Sequence, residues 1–277
     1  MLNIAVSSMI NLPGDMFDFL TEVGNSKFQW VEIRMEKKHW NYDDPENILN
    51  INQLTQENTV KILSYHAPMD TVLTSDSEYH RVKSIREVEK GILIAHRTSA
   101  KYVVIHGDGH IDLDECSKKK NLEKSLMELV EYARRWEIKL LLENLFPPRI
   151  NSSPEELYEL STKINSEYLG ICLDLGHLSI SGFPLPAEHD EFWNKVYSIH
   201  LNDNEHGVYD QHLLPGQGRS WKQQSEHLNF YGKRGIFMVL EVNSEIHRQH
   251  NWSPDQNLTK LQKNLFLCEQ WRRTYLG

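Results

Sequence analysis

The sequence predicts one α/β domain over residues 1–277, folded as a single (β/α)8 TIM barrel. Short apolar runs alternate with amphipathic runs from end to end, which is typical of parallel strands joined by helical crossovers. A chain of 277 residues suits such a barrel, and no low-complexity linker divides it. A doubly wound open sheet is the alternative, but the first strand is not followed by a glycine-rich phosphate turn.

Eight apolar runs are predicted as the strands of the barrel. In chain order they are Ile4–Ser7, Trp30–Arg34, Lys61–His66, Tyr102–His106, Leu140–Glu143, Gly170–Asp174, Val196–Leu201 and Ile236–Glu241.

Helical patterns fill the segments between these strands. They are "PGDMFDFLTEV", "PENILNINQLTQEN", "EYHRVKSIREVEKGILIAHRTS", "KNLEKSLMELVEYARRW", "PEELYELSTKI", part of "PLPAEHDEFWNK", "WKQQSEHLNFY" and "DQNLTKLQKNLFLCEQWRRTYL". Two helix starts are marked by Ser at the N-cap, Pro at the first helical position and Glu or Gln at the third. These are the segments Ser153–Glu156 and Ser253–Gln256.

Composition narrows the class of protein. A hydrophobic content of 39% and a charged content of 25% describe a globular protein with a large core. The opening "MLNIAVSS" enters a strand directly, and no apolar run reaches the roughly 18 residues of a membrane helix. Three scattered cysteines form no disulfide framework or CxxC motif, so we expect a cytoplasmic protein without a membrane partner. The net charge of −9 counts against a nucleic-acid partner.

Polar residues lie at the ends of six predicted strands. The carboxyl ends of the strands carry the chemistry in barrels of this kind. Those at the strand ends are His66 ("SYHAP"), His106 ("VVIHGDG"), Glu143 ("LLLEN"), Asp174 ("CLDLGH"), His200 ("IHLND") and Glu241 ("VLEVN"); His177 lies in the turn after the sixth strand, and Asp210 and His212 ("YDQH") lie in the loop after the seventh.

Strand alternation predicts that these side chains point into the barrel. If Glu143 faces inward, so does Leu141, while Leu140 and Leu142 face the helices. The same parity places Cys172 beneath Asp174, Ser198 beneath His200, Val239 beneath Glu241 and Ser64 beneath His66.

A single histidine or acid at a strand end is commonly a hydrogen-bonded structural residue or a helix cap. Together, however, this many carboxylates and imidazoles would be costly to bury without compensation. A divalent cation would supply that compensation, and imidazole-rich sites favour Zn²⁺ or Mn²⁺, with iron as an alternative, over Mg²⁺.

Other conspicuous residues are interpreted as structural. The "PGQG" turn could hold an anion through its backbone, although turn formation explains it as well. The helical Trp136 and Trp271 are predicted to be core residues. Eight further histidines are expected on the surface or in packing, namely His39, His80, His96, His110, His189, His206, His247 and His250.

The motifs "LLLENL", "CLDLGH", "IHLNDN", "DQHLLPGQG" and "VLEV" occur in an order that resembles the xylose isomerase-like TIM barrel superfamily. That superfamily includes sugar phosphate isomerases, epimerases and endonuclease IV. The resemblance implies that Glu143, Asp174, His200 and Glu241 form the metal quartet of the epimerases. His66, His106, His177, Asp210 and His212 would then match the additional ligands of the endonuclease branch, giving from one to about three ions per chain.

The resemblance implies two alternative activities. The first is isomerisation or epimerisation of a small sugar or sugar phosphate through an enediolate, with Glu143 and Glu241 transferring the proton and His177 orienting a hydroxyl. Residues expected to line the substrate pocket are Glu32, Arg34, Trp40, Phe146, Arg219 and Trp221. The second is phosphodiester hydrolysis at abasic DNA sites, as in endonuclease IV. A barrel that only binds a metal or ligand is a third, non-enzymatic reading.

Overall fold

The computed structural model of the protein describes residues 3–109, 113–186, 189–205, 209–249 and 258–276. Eight parallel strands pair in chain order, and the first and last strands also pair, with Ile4 opposite Met238. The sheet is therefore closed, which confirms the predicted (β/α)8 barrel and excludes the open doubly wound sheet.

The strands agree closely with those predicted. Their bounds are β1 Ile4–Ser7, β2 Trp30–Arg34, β3 Lys61–His66, β4 Tyr102–His106, β5 Lys139–Glu143, β6 Leu169–Asp174, β7 Val196–Leu201 and β8 Phe237–Leu240. The eighth strand is shorter than predicted at both ends, so Glu241 is the first residue after β8 rather than its last.

Helices surround the barrel. Their bounds are α1 Met16–Gly24, α2 Pro45–Glu57, α3 Glu78–Arg97, α4 Glu115–Trp136, α5 Pro154–Ile164, α6 Leu175–Ser181, α7 Asp190–Trp193, α8 Trp221–Ser225, α9 Leu228–Lys233, α10 Ile246–Gln249 and α11 Lys260–Leu276. The single helix predicted after the seventh strand is instead two short helices, α8 and α9. No helix in these described ranges is both long and apolar enough to cross a membrane.

Two hydrophobic layers hold the barrel together. Leu141, Cys172 and Val239 belong to small clusters inside it, whereas Leu140 and Leu142 belong to the large cluster between strands and helices. This division confirms the predicted strand parity. It also directs the strand-end polar residues of the same parity toward the barrel axis.

Local capping chemistry begins helix α5 where predicted. The Ser153 side chain accepts a hydrogen bond from the Glu156 backbone nitrogen at 3.1 Å, and Pro154 occupies the first turn. The analogous segment Ser253–Gln256 lies outside the described residues. The α5 cap matters to the site because the preceding loop joins this helix to the Glu143 end of β5.

We predict that Ser153→Ala lowers the free energy of unfolding by about 1 kcal/mol, because an N-terminal amide of α5 loses its acceptor. Chemical denaturation would measure the change. The exposed Glu159→Ala on the same helix serves as the control and is expected to change stability by less than about 0.5 kcal/mol. Equal losses in the two variants would show that the cap has no special role.

Candidate metal centre

The strand ends bring the predicted ligand residues into three groups. Within each group, one nitrogen or oxygen atom from every member lies within 4.8 Å of the corresponding atoms of the others. All the members except Asp210 are buried. The groups are His66–His106–Glu143, Glu143–Asp174–His200–Glu241 and His177–Asp210–His212.

Glu143 links the first two groups because its two oxygens face different partners. Oε2 lies 3.1 Å from His66 Nε2 and 3.0 Å from His106 Nε2. Oε1 lies 3.2 Å from His200 Nδ1. A carboxylate with this environment can bridge two cations, one on each side.

Backbone carbonyls fix which nitrogen several histidines present to the site. The Nδ1 atom of His66 lies 3.0 Å from Ala67 O, and that of His212 lies 2.9 Å from Glu241 O. If each Nδ1–H donates to its carbonyl, Nε2 of the neutral ring carries a lone pair. That lone pair faces a carboxylate oxygen, so a proton or a cation is needed between them.

The third group repeats this arrangement around Asp210. His177 Nδ1 lies 2.8 Å from Asn144 O, while Nε2 lies 3.1 Å from Asp210 Oδ2. His212 Nε2 approaches the same oxygen at 2.8 Å. Asp210 Oδ1 is buried and has no hydrogen-bond partner among the residues that the structure describes. A divalent cation would satisfy this set of donors.

His200 is oriented from beneath the centre by Glu32. Glu32 is fully buried, and its Oε2 lies 3.2 Å from His200 Nε2 and accepts a hydrogen bond from Ser64 Oγ at 2.7 Å. A register shift between Val31 and Glu32 brings Glu32 opposite Ser64. With Nε2 donating to Glu32, Nδ1 of His200 is left to face the ligand group.

Asp174 is positioned by two asparagines that are not among the predicted site residues. Asn144 accepts a hydrogen bond from the Asp174 backbone nitrogen at 2.6 Å and donates to its carbonyl at 3.0 Å. Asn202 donates to Asp174 Oδ2 at 2.8 Å. Each asparagine follows a predicted ligand by one or two positions in the chain, which is the signal that could have identified them.

Arg34 supplies positive charge next to Glu241. Its guanidinium donates to Glu241 Oε1 at 2.8 Å and to Glu36 Oε1 at 3.1 Å. The indole of Trp40 is buried and donates to the Arg34 carbonyl at 3.0 Å, so it fixes the backbone of the arginine. Arg34 therefore holds one oxygen of Glu241 and leaves the other facing His200, 3.0 Å from its Nδ1.

Burial and ion pairing shift the pKa values of the cluster in opposite directions. Burial lowers the pKa of His106 to about 4 and raises that of Asp174 to about 6. For His177, burial would lower the pKa, but the charges of Asp174 and Asp210 outweigh it and raise the pKa to about 10. For Glu143, the histidines outweigh burial and hold the pKa well below its ordinary value. A divalent cation would replace the shared protons, so metal binding should release protons.

The remaining residues predicted to line a pocket lie at different depths. The Phe146 ring packs 5.2 Å from the His177 ring. Arg219 is exposed and lines a cavity between the segments that follow β6 and β7. Trp221 is buried against Trp271 and Tyr275 of α11. Their roles as substrate contacts stay predictions.

The "PGQG" turn is organised by an internal carboxylate. Asp203 is fully buried and accepts hydrogen bonds from the backbone nitrogens of Gly216, Gly218 and Ser220 at 3.1, 2.8 and 3.2 Å. These backbone groups point at Asp203, which supports the reading of this motif as a turn rather than an anion site.

The other histidines occupy varied positions. His39 is buried and its Nδ1 contacts the Gly14 carbonyl, in agreement with a packing role. Trp271 is buried in the large core cluster, as predicted. His110, His206 and His250 lie outside the described residues, as does the side chain of His247.

Comparisons with known proteins place the chain in a family. The family model described as "Xylose isomerase-like TIM barrel" matches residues 17–263. The uncharacterized protein MJ1311 of Methanocaldococcus jannaschii is 29% identical over 256 residues, covering 87% of this chain and 84% of that protein. A probable endonuclease 4 of Thermoplasma volcanium is 23% identical over 197 residues, covering 65% of this chain and 68% of that protein.

Solved structures share the fold. A structure of the IOLI protein with a zinc atom superposes with a TM-score of 0.82 at 19% identity, covering 100% of both chains. A D-tagatose 3-epimerase-like protein gives a TM-score of 0.78 at 24% identity, covering 99% of this chain and 98% of that one. At these identities the likeness establishes the barrel and not the reaction.

We predict that Glu32→Gln weakens metal binding by about 10- to 100-fold, because the charged acceptor of the His200 Nε2–H becomes a neutral amide, which orients the ring less strongly and makes its Nδ1 a weaker ligand. Competition with a chelating dye would measure the affinity. Ser198→Ala is the matched control, since Ser198 lies on β7 with His200 and its buried Oγ has no hydrogen-bond partner in the described part of the chain. Denaturation of the chelator-treated proteins would separate lost affinity from lost stability, and an unchanged affinity in Glu32→Gln would refute the positioning role.

Proposed function

We propose that this chain, which belongs to the xylose isomerase-like TIM barrel family, is a divalent-metal-dependent isomerase or epimerase of a small sugar or sugar phosphate. The supporting observation is that Glu143 and Glu241, from different strand ends, approach the same nitrogen of His200 at 3.2 and 3.0 Å. Two carboxylates this close can act on one small substrate from two directions. The epimerase-like structural neighbours agree with this choice.

The donor set suits a metal ion, and Glu143, Asp174, His200 and Glu241 would hold it. When bound, the ion would polarise the substrate oxygens and lower the pKa of the adjacent C–H group. Zn²⁺ or Mn²⁺ suits the mixture of imidazole and carboxylate donors best, and iron is the alternative.

Proton transfer falls to the two glutamates. One removes the proton from the carbon next to the carbonyl, and the other returns it at the neighbouring carbon or on the opposite face. Arg34 donates to Glu241 and so holds that side chain in place. His177 belongs to the third group, and its Nδ1 lies 3.6 Å from Glu143 Oε1 of the second group, where its ring could orient a substrate hydroxyl.

A phosphodiesterase of the endonuclease IV type is the second candidate. It is favoured by a specific observation, since the first and third groups of ligands are present although one metal would suffice for isomerisation. The curated relatives named probable endonuclease 4 agree with this alternative. The net charge of −9 counts against it, because a DNA groove normally carries a basic surface.

We predict that Glu143→Gln lowers isomerase activity by about 10²- to 10⁴-fold, because a proton-transfer group is lost along with a metal ligand. The assay is exchange of solvent deuterium into a panel of aldose and ketose phosphates by the metal-loaded protein. Glu36→Gln is the control, since Glu36 also pairs with Arg34 but is not a member of the ligand groups. Near-full turnover in Glu143→Gln would reject the proposed role.

His66→Ala and Asp210→Asn separate the two functions. A single-metal isomerase is expected to keep its turnover in both variants, because neither residue belongs to the Glu143–Asp174–His200–Glu241 group. Metal content and incision of an abasic-site duplex would be measured on the same preparations. Loss of bound metal together with loss of incision in both variants would favour the phosphodiesterase.

A further inference from the structure

Arg149 lies at the rim of the barrel, in the loop between β5 and α5. Its backbone nitrogen donates to the Phe146 carbonyl at 3.2 Å, closing a turn. Its guanidinium carbon sits 4.4 Å from the centre of the Phe146 ring. The same ring lies 5.2 Å from the ring of His177, a member of the third ligand group. Phe146 thus connects the arginine to the candidate metal centre.

The stacking leaves the donors of Arg149 available. A guanidinium that stacks on an aromatic ring uses its face, whereas its N–H groups point outward in the plane. Within the described ranges, no hydrogen bond or ion pair is formed by this side chain, although it is half-buried. Burial lowers the pKa of Arg149, and the negative charges of Asp210, Asp108 and Glu143 offset this effect only in part. The group nevertheless stays charged near neutral pH.

The other charged residues around Arg149 already have partners. Arg149 lines a cavity of about 380 Å³ together with Glu115, Lys118 and Glu156. Lys119 holds Glu115 at 2.5 Å and Glu156 at 2.9 Å. Lys118 pairs with the buried Asp108 at 3.0 Å. Among the described residues lining the cavity, Arg149 is therefore the cation whose charge is not matched.

We propose that Arg149 forms an anion subsite at the rim of the metal centre and binds the phosphate monoester group of a small phosphorylated sugar. This inference rests on the proposed function and specifies its substrate class. A guanidinium fork matches the geometry of phosphate oxygens and can donate to two of them at once.

The test uses the metal-loaded, full-length protein and calorimetry with two probes. Inorganic phosphate is expected to bind the parent protein, and fructose 6-phosphate is expected to bind at least about tenfold more tightly than fructose. Arg149→Gln should weaken phosphate binding by about tenfold or more and abolish the preference for the phosphorylated sugar. Arg149→Lys should restore part of it, because a point charge replaces the fork.

Arg135→Gln is the matched control, since it removes an exposed arginine of α4 and changes the net charge equally. It should bind both probes like the parent protein. Metal content and unfolding transitions would be recorded for every variant. The proposal is overturned if inorganic phosphate fails to bind the parent protein, or if it binds Arg149→Gln equally well.

A further measurement distinguishes a DNA phosphate from a sugar phosphate, and phosphate binding from isomerase turnover. If Arg149→Gln weakens binding of an abasic-site duplex but not of fructose 6-phosphate, the subsite serves a DNA backbone and the proposal is wrong. If sugar phosphates bind through Arg149 but no member of the panel is turned over, the isomerase proposal fails while the anion subsite stands.

Discussion

Glu143 is the constraint around which the rest of the site is arranged. Its carboxylate is buried at the end of β5, where one oxygen meets His66 and His106 and the other meets His200. Only a closed parallel barrel brings side chains from β3, β4, β5 and β7 to one point, because all strand ends then lie on the same rim. The same closure surrounds the carboxylate with other strands and keeps it from solvent.

Hydrogen bonds beneath and beside this carboxylate decide which lone pairs face the centre. Glu32 contacts His200, and Asn144 and Asn202 both contact Asp174. Supporting contacts of this kind fix ring orientation and carboxylate direction before a ligand arrives. The lower half of the centre is therefore held by side chains of the strands and of the positions directly after them.

The upper half of the site is formed by the loops that follow the strands. Phe146 and Arg149 follow β5, while Asp210 and His212 follow β7, so the proposed substrate contacts and the third ligand group lie on the same rim. Asp203 stabilises the β7 loop from inside by accepting hydrogen bonds from its backbone. Variation in such loops on a constant barrel is how one fold supports many reactions.

The sequence alone determined the barrel and the strand ends. The spacing of apolar residues and the alternation of side chains along a strand are local properties, so a single sequence reveals them. It also placed Cys172 and Ser198 beneath the centre through parity. Only the tertiary structure decided that Glu32 lies under His200 and that Arg149 stacks on Phe146. The first contact depends on how strands distant in the chain pack across the barrel, and the second depends on the conformation of one loop; no hydrophobic period encodes either of them.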